Sequence, residues 1–267
     1  MPELAEVAYA CSLWNPGINQ RIKAVYIHPS SRVYRDENRE QFNSYIPGKI
    51  LRGSETHGKQ MLFSFSGSCW LGLHLGMTGW LHIKEKNYSP EKHDALVLFE
   101  TKQALVFRDP RQFGRLRIHH GEKPPQWWTD RPVSMLSEEF LFEILANALK
   151  RHSNRPLKAL LLDQRYFPGM GNWMADEVLW RAKLHPNCRS PMVKAKECKK
   201  LFQQIRFVVR GAMRSVGKKG GDPPAKWLFH QRWKDGGTCP KSGKGLIREE
   251  IGGRTTCWSP ALQKLGK

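Results

Sequence analysis

Apolar positions in residues 3–14 recur at helical spacing. Leu4, Val7, Cys11 and Trp14 share one stripe, and Asn15-Pro16-Gly17 stops it. The period then changes. RIKAVYI, KILRGSET, QMLFSF, WLGLHL, ALVLFE, ALVF and RLRI have strand character, and turn residues such as SGS, NYSP and TKQ separate many of them. Many short strands at this spacing predict a β-sandwich or barrel rather than βαβ units. The stretch EKPPQWWTDRP, residues 122–132, breaks the pattern and reads as a linker.

Helical periods follow. Ser137, with Glu138 and Glu139, opens a predicted helix that runs to about Lys150. Pro156–Asp163 and Asn172–Lys183 predict a helix pair around the turn FPGMGN. Ser190-Pro191 precedes a long helix carrying Cys198, Leu201, Phe202, Ile205, Val208, Val209, Ala212, Met213 and Val216, with Gly217 as its expected end. The tail from Trp227 is Gly-rich, basic and strand-like, and no internal repeat is present. No apolar run reaches the roughly 18 residues of a membrane span, and the acidic start MPELAEV is unlike a secretory signal.

Charge narrows the function. The chain carries 44 Lys and Arg against 24 Asp and Glu, a net +20 spread from Arg21 to Lys267. A folded body with that field predicts a polyanionic partner, most simply nucleic acid. Six cysteines without a Cys-x-x-Cys pair predict reduced thiols and a cytoplasmic protein. In this setting the FPGMGN turn gains a purpose. Its glycines let backbone N–H groups face outward, the helix start adds positive potential, and together they suit a phosphate. On its residues alone it also suits an ordinary turn between helices.

Six segments occur in one order: MPELAEV at the start, HGK at 57–59, HLGMTG at 74–79, DPRQFG at 109–114, LLDQRYFPGMGNWMADEVL at 161–179 and GGRTT at 252–256. In this the chain resembles the formamidopyrimidine-DNA glycosylase / endonuclease VIII family over nearly its whole length. Its void-filling residues are divided between two loops, as in the formamidopyrimidine branch, whereas endonuclease VIII keeps them in one. The resemblance implies an α+β chain. A β-sandwich domain with a leading helix would span 1–121, a linker 122–134, a helix–two-turn–helix DNA-binding domain 135–225 and a zincless-finger β-hairpin 226–267.

Chemistry would begin at the amino terminus. If Met1 is removed, Pro2 presents a secondary amine, and α-amino groups titrate at about 7.7–8.0, leaving a useful neutral fraction. Attack on sugar C1′ gives an iminium that is cationic without protonation, and Glu3 could protonate the ring oxygen or shuttle protons. Alone, Pro2-Glu3 would be ordinary first-turn helix chemistry. The resemblance implies Pro2 as nucleophile, Glu3 as acid/base with Glu6 as helper, and Lys59 as a catalytic phosphate ligand. It implies further phosphate contacts from His74, Gly171, Asn172 and Arg254. Flipping a base out of a duplex costs roughly a few kcal/mol and leaves a hole that apolar wedges fill. Met77, Arg111 and Phe113 match the void-filling trio, with Arg111 reading the orphaned base. Gln112 stands where the branch usually has a second Arg.

The tail departs from the family. A C-x2-C-x16-C-x2-C zinc finger starting at Cys239 would fall on Cys239, Ser242, Ser259 and Leu262. Serine and leucine do not replace thiolates in a tetrahedral site, and Cys257 restores no register. The expectation is a finger without zinc, no cofactor, and a hairpin core of Ile247, Ile251 and Trp258. Residues 217–233, GKKGGDPPAKWLFHQRW, match the family poorly, and WLFHQRW reads equally as finger core or as a DNA contact.

The function so implied is a bifunctional DNA glycosylase with AP lyase activity. It would remove oxidised purines (8-oxoguanine, formamidopyrimidines) from double-stranded DNA, or act on abasic sites, by a proline Schiff base and β,δ-elimination. The chain would act as a monomer, away from membranes, in the cytoplasm at a bacterial nucleoid or in a eukaryotic nucleus. A glycosylase for another lesion, or a non-catalytic binder of damaged DNA or RNA, are the alternatives.

Overall fold

The apolar stripe at the start folds as helix α1 (Leu4–Ser12), with Val7, Cys11 and Trp14 buried and a 3-10 turn at Asn15–Gly17 ending it. The computed structural model describes residues 1–265. Two compact units emerge: Met1–Pro2 with Glu6–Arg131, and Glu3–Ala5 with Pro132–Lys267. Glu3, Leu4 and Ala5 thus count with the second unit, although the rest of α1 belongs to the first.

The first unit is a β-sandwich. In chain order it has β1 (Ala24–Ile27), helix α2 (Arg39–Tyr45), β2 (Leu51–His57), β3 (Gln60–Phe65), β4 (Cys69–His74), β5 (Trp80–Glu85), β6 (Asp94–Phe99), β7 (Gln103–Arg108), β8 (Arg115–His120) and the short α3 (Gln126–Thr129). The strands form two four-stranded antiparallel sheets, ordered β1-β6-β7-β5 and β2-β3-β4-β8. Inward residues such as Phe63, Leu71, Leu81, Leu96 and Phe107 build the core. Alternation along the strands creates this burial.

Two elements escaped the sequence pattern. Strand β5 buries only Leu81 fully, and its polar remainder masks the alternation. Helix α2 is only seven residues, about two turns, and its N-cap Asn38 side chain accepts the Glu40 N–H at 3.0 Å. The expected linker contains α3, with Trp128 buried.

The second unit is mainly helical: α4 (Phe142–Arg151), α5 (Leu157–Leu161), α6 (Asn172–Ala182) and α7 (Ala195–Ala212), then a hairpin of β9 (Ile247–Ile251) and β10 (Arg254–Trp258). Leu160, Phe167, Met174, Val178, Ile205 and Val208 lie in its core. Helix α4 starts five residues later than the Ser137 expectation. The Ser137 hydroxyl instead accepts the Glu139 N–H at 3.1 Å, a local turn that competes with a helix start. Helix α7 passes into a π-helical turn, Met213–Gly217, and helical residues continue to Lys219, so the chain does not stop at Gly217 as expected; the Gly220 N–H still donates to the Val216 carbonyl at 2.9 Å. Among the described residues no helix is long and apolar enough to cross a membrane.

The finger core also differs from expectation. Ile247 is 38% exposed, while Cys239, Cys257, Leu228 and Trp180 are buried together, packed by Leu246 and Leu262. Trp180 comes from α6, far away in sequence, so no local period reveals it. Within WLFHQRW, Trp227, Leu228 and Arg232 are buried and Trp233 is 55% exposed. The segment therefore supplies core through these three residues, while His230, Gln231 and Trp233 face solvent.

Candidate active site

In the first unit, two loops form one projection. Asp109, at the start of the β7–β8 loop, is 1% exposed. One of its oxygens accepts the Thr78 hydroxyl at 2.9 Å, and the other accepts the Gly114 N–H at 2.6 Å. The Thr78 oxygen in turn accepts the Arg111 N–H at 3.3 Å. This clamp joins the β4–β5 turn, which carries Met77, to the loop carrying Arg111 and Phe113. All three expected void-filling residues are therefore held on one structure and exposed: Met77 is 43% and Phe113 48% accessible. The Arg111 guanidinium lies 4.8 Å from the Phe113 ring centroid. Gln112 has a left-handed backbone (φ 55°), and its side-chain oxygen accepts the Arg32 N–H at 2.9 Å.

Lys59 and His74 come together because Gln60, next to Lys59, pairs directly with His74 between β3 and β4. Burial, then the positive charges of Lys59, Arg35, Arg117 and Arg115, push the His74 imidazole down to about 4. It is neutral at pH 7. Its Nδ1 accepts the Gly76 N–H at 3.0 Å, which puts the proton on Nε2 as a donor. Arg35, Arg115 and Arg117 escaped sequence reasoning. The alternation in RLRI that aligns Arg115 with Arg117 was the available signal, whereas Arg35 reaches the Gly114 carbonyl at 2.9 Å from a 3-10 turn that no period marks.

In the second unit the FPGMGN turn has an unexpected occupant. Glu3, 3% exposed, places its two carboxylate oxygens on the N–H groups of Trp173 (2.8 Å) and Met174 (3.1 Å), in the first turn of α6. It thus supplies the cap that Gly171, the N-cap residue, has no side chain to make. A Cβ on Gly171 would sit 2.1–2.4 Å from the Glu3 side chain. The glycine is therefore needed to admit Glu3 as well as to shape the turn. Leu4 N–H donates to the Gly169 carbonyl at 3.0 Å, tying the chain start to the same turn. Pro2 directly precedes this anchored glutamate, Met1 ahead of it is 55% exposed, and Glu6 lies in the first turn of α1.

Asn172 opens α6, and its side-chain N–H donates to the Thr255 carbonyl of β10 at 2.8 Å. One expected phosphate donor is thus joined to the hairpin that carries another. Gly252 (φ 62°) and Gly253 (φ 75°) form the two-residue turn, with positive φ at both positions as a type I′ hairpin demands. Arg254 follows it, exposed at the head of β10.

A sandwich followed by a helix–turn–helix unit and a hairpin has counterparts among known proteins. A model described as the formamidopyrimidine-DNA glycosylase N-terminal domain matches residues 1–116, and one described as the H2TH domain of that glycosylase matches residues 132–221. A formamidopyrimidine-DNA glycosylase of Roseiflexus sp. is 32% identical, with 99% of this chain and 100% of that one covered. The chain belongs to the formamidopyrimidine-DNA glycosylase family. Its Thermus thermophilus relative of the same name is 31% identical, with both chains covered completely. The Lactococcus lactis glycosylase, solved non-covalently bound to AP-site DNA, shares the fold at a TM-score of 0.86 and 24% identity, covering 98% of this chain and 99% of that one.

Within a formamidopyrimidine-DNA glycosylase fold, the finger of this chain does not fit zinc. Of the four positions at the family's spacing, Leu262 contributes hydrocarbon to the finger core. Cys239 accepts the Trp180 indole N–H at 3.3 Å. Burial, its largest influence, raises the Cys239 thiol, but hydrogen bonding from Ser242, Ser259, Trp180 and the Lys241 backbone outweighs it and brings the thiol to about 7. Among the described residues no three His, Cys, Asp or Glu side chains converge as a metal site would need.

Proposed function

We propose that this chain is a bifunctional DNA glycosylase / AP lyase that removes oxidised purines, 8-oxoguanine and formamidopyrimidines, from double-stranded DNA. The observation that carries the reading is the seating of the chain start. Glu3 is fixed by two N–H groups of α6, so the neighbouring Pro2 is held by a rigid element rather than on a free tail. With Met1 removed, the Pro2 nitrogen attacks C1′ of the flipped nucleotide. The C1′–base bond breaks, and the base departs with a proton. The C1′–O4′ bond then opens as O4′ takes a proton, leaving an iminium at C1′; it draws electrons from C2′, so loss of a C2′ proton expels the 3′ phosphate, and a second elimination expels the 5′ phosphate. Glu3, with Glu6 as helper, handles the protons. Lys59, neutral His74 through Nε2–H, Gly171, Asn172 and Arg254 take phosphate oxygens, and Met77, Arg111 and Phe113 fill the void. No zinc or other cofactor takes part, the protein acts as a monomer, and it works wherever the cell keeps its DNA.

Borohydride trapping tests this. Protein lacking Met1 is incubated with labelled duplexes bearing an abasic site or 8-oxoguanine, then reduced. A covalent complex is expected on both, and protein retaining Met1 should give none. Absence of a complex on the abasic duplex, from protein shown to have lost Met1, would leave only a DNA-binding scaffold.

A further inference from the structure

A two-stranded hairpin alone is marginally stable in water, and this one lacks the four thiolates that would fix a metal-bound finger. What positions it is a buried carboxylate. Asp176 lies one helical turn after Asn172 on α6 and is 1% exposed. One of its oxygens accepts Lys158 Nζ, which is completely buried and also donates to the Asn172 carbonyl at 2.7 Å. The other oxygen accepts Arg232 through Nε at 3.1 Å and Nη2 at 2.7 Å, and the backbone N–H of Cys257 at 3.1 Å.

The geometry of β10 makes this a dock. Thr255 and Cys257 pair with Glu250 and Arg248 of β9, and residues two apart on a strand share a side. The Thr255 carbonyl goes to the Asn172 side chain and the Cys257 N–H to Asp176. Side chains one turn apart on α6 therefore satisfy the backbone edge of β10 where a third strand would otherwise lie. At the tip, a Cβ on Gly252 would come 2.7 Å from the Ala159 Cβ, so the turn seats closely on α5.

We propose that Asp176 and Arg232 are positioning residues that replace a metal as the anchor of the hairpin, setting Arg254 and Asn172 as a single phosphate-gripping unit. The proposal rests on the glycosylase reading, because it is lesion DNA that the unit would grip. Arg232 is 5% exposed and comes from the 217–233 segment that precedes the hairpin. Neither residue touches DNA. Both act through the register and orientation of β10.

The test is a cycle on binding of a duplex carrying a tetrahydrofuran abasic analogue, measured over a salt series with R232M, R254A and the double variant. R254A removes one phosphate contact, so affinity should fall about tenfold and the slope of log K against log[salt] should shrink by about 1. R232M, although its side chain is buried, is expected to weaken binding about tenfold and to flatten the slope by the same amount. The double variant should bind like either single one. Losses that multiply to about a hundredfold, or an unchanged slope for R232M, would overturn the proposal.

R232Q keeps the length and part of the donor set and should recover most of the affinity; no recovery would count against the anchor. If R232M fails to fold, hydrogen exchange of the wild-type protein decides. The Cys257 amide should be protected like the middle of α6, and exchange as fast as at the Gly253 tip would overturn the docking. Failure of the wild-type protein to trap on abasic DNA would instead remove the glycosylase reading, leaving the exchange result to stand alone.

Discussion

Asp109 and Asp176 are both buried to 1% exposure, and each steadies an exposed loop that presents an arginine, Arg111 in one case and Arg254 in the other. Their partners differ. Asp109 takes a hydroxyl and an N–H, both from the two loops it joins. Asp176 takes two cations and an N–H, from α5, the segment after α7, and β10. The contrast follows from what surrounds each loop. The void-filling loops connect strands already fixed in a sandwich, so a clamp with neutral partners drawn from the two loops alone is enough. The hairpin has only two strands and no sheet to join, so its anchor must draw together residues remote in sequence. Two cations around a single carboxylate need that carboxylate, whereas Thr78 and Gly114 lose only hydrogen bonds without theirs.

The largest effect should therefore be Asp176→Asn. Stranding Lys158 and Arg232 in the interior should cost about 3–5 kcal/mol in chemical denaturation. Next comes Gly171→Ala, whose Cβ would displace Glu3 from the α6 N-terminus. The rate of borohydride trapping should fall about 100-fold, equivalent to about 2.7 kcal/mol. Unchanged trapping would separate the turn from the chemistry. Asp109→Asn should cost only about 1–3 kcal/mol, since neutral partners stay behind. Equal costs for the two aspartate variants would erase the contrast drawn above.

The first unit should also show a pH signature. Because the folded His74 titrates at about 4 against an ordinary 6.5, the unfolded chain binds the extra proton between those values. Stability from this residue is complete above about pH 6.5 and falls as pH drops towards 4, by up to about 2 kcal/mol between pH 7 and 5. Denaturation of the wild type and His74→Gln at both pH values isolates it, and the dependence should shrink in the variant. Smallest of all is the expected response to a chelator. EDTA should shift neither the melting temperature nor the trapping yield, and a fall in either would restore a metal to the finger.

Much of this was legible before folding. The leading stripe, most strands and α6 follow from short-range periods, and the motif residues on the void-filling loops emerge together because DPRQFG fills one loop and HLGMTG runs from the end of β4 through the other. Strand β5 was missed because just one of its residues is fully buried. The start of α4 was misplaced because Ser137 closes a local turn. Glu3 was recognised for its chemistry, but its seat on α6 was invisible, since its partners lie about 170 positions away. The expected finger core was incomplete for a similar reason: Ile251 is buried as expected, but Ile247 is exposed and Trp180 enters from another element.

The sequence by itself determined the order of elements, the positive field, the motif set and the residues at the finger positions, because each is written in composition or in spacing of a few residues. Only the tertiary structure decided that Gly171 makes room for a carboxylate, that His74 is neutral, and that Asp176 with Arg232 holds the hairpin. Those properties depend on desolvation and on hydrogen bonds between segments distant in the chain, and neither quantity exists until the chain has closed on itself.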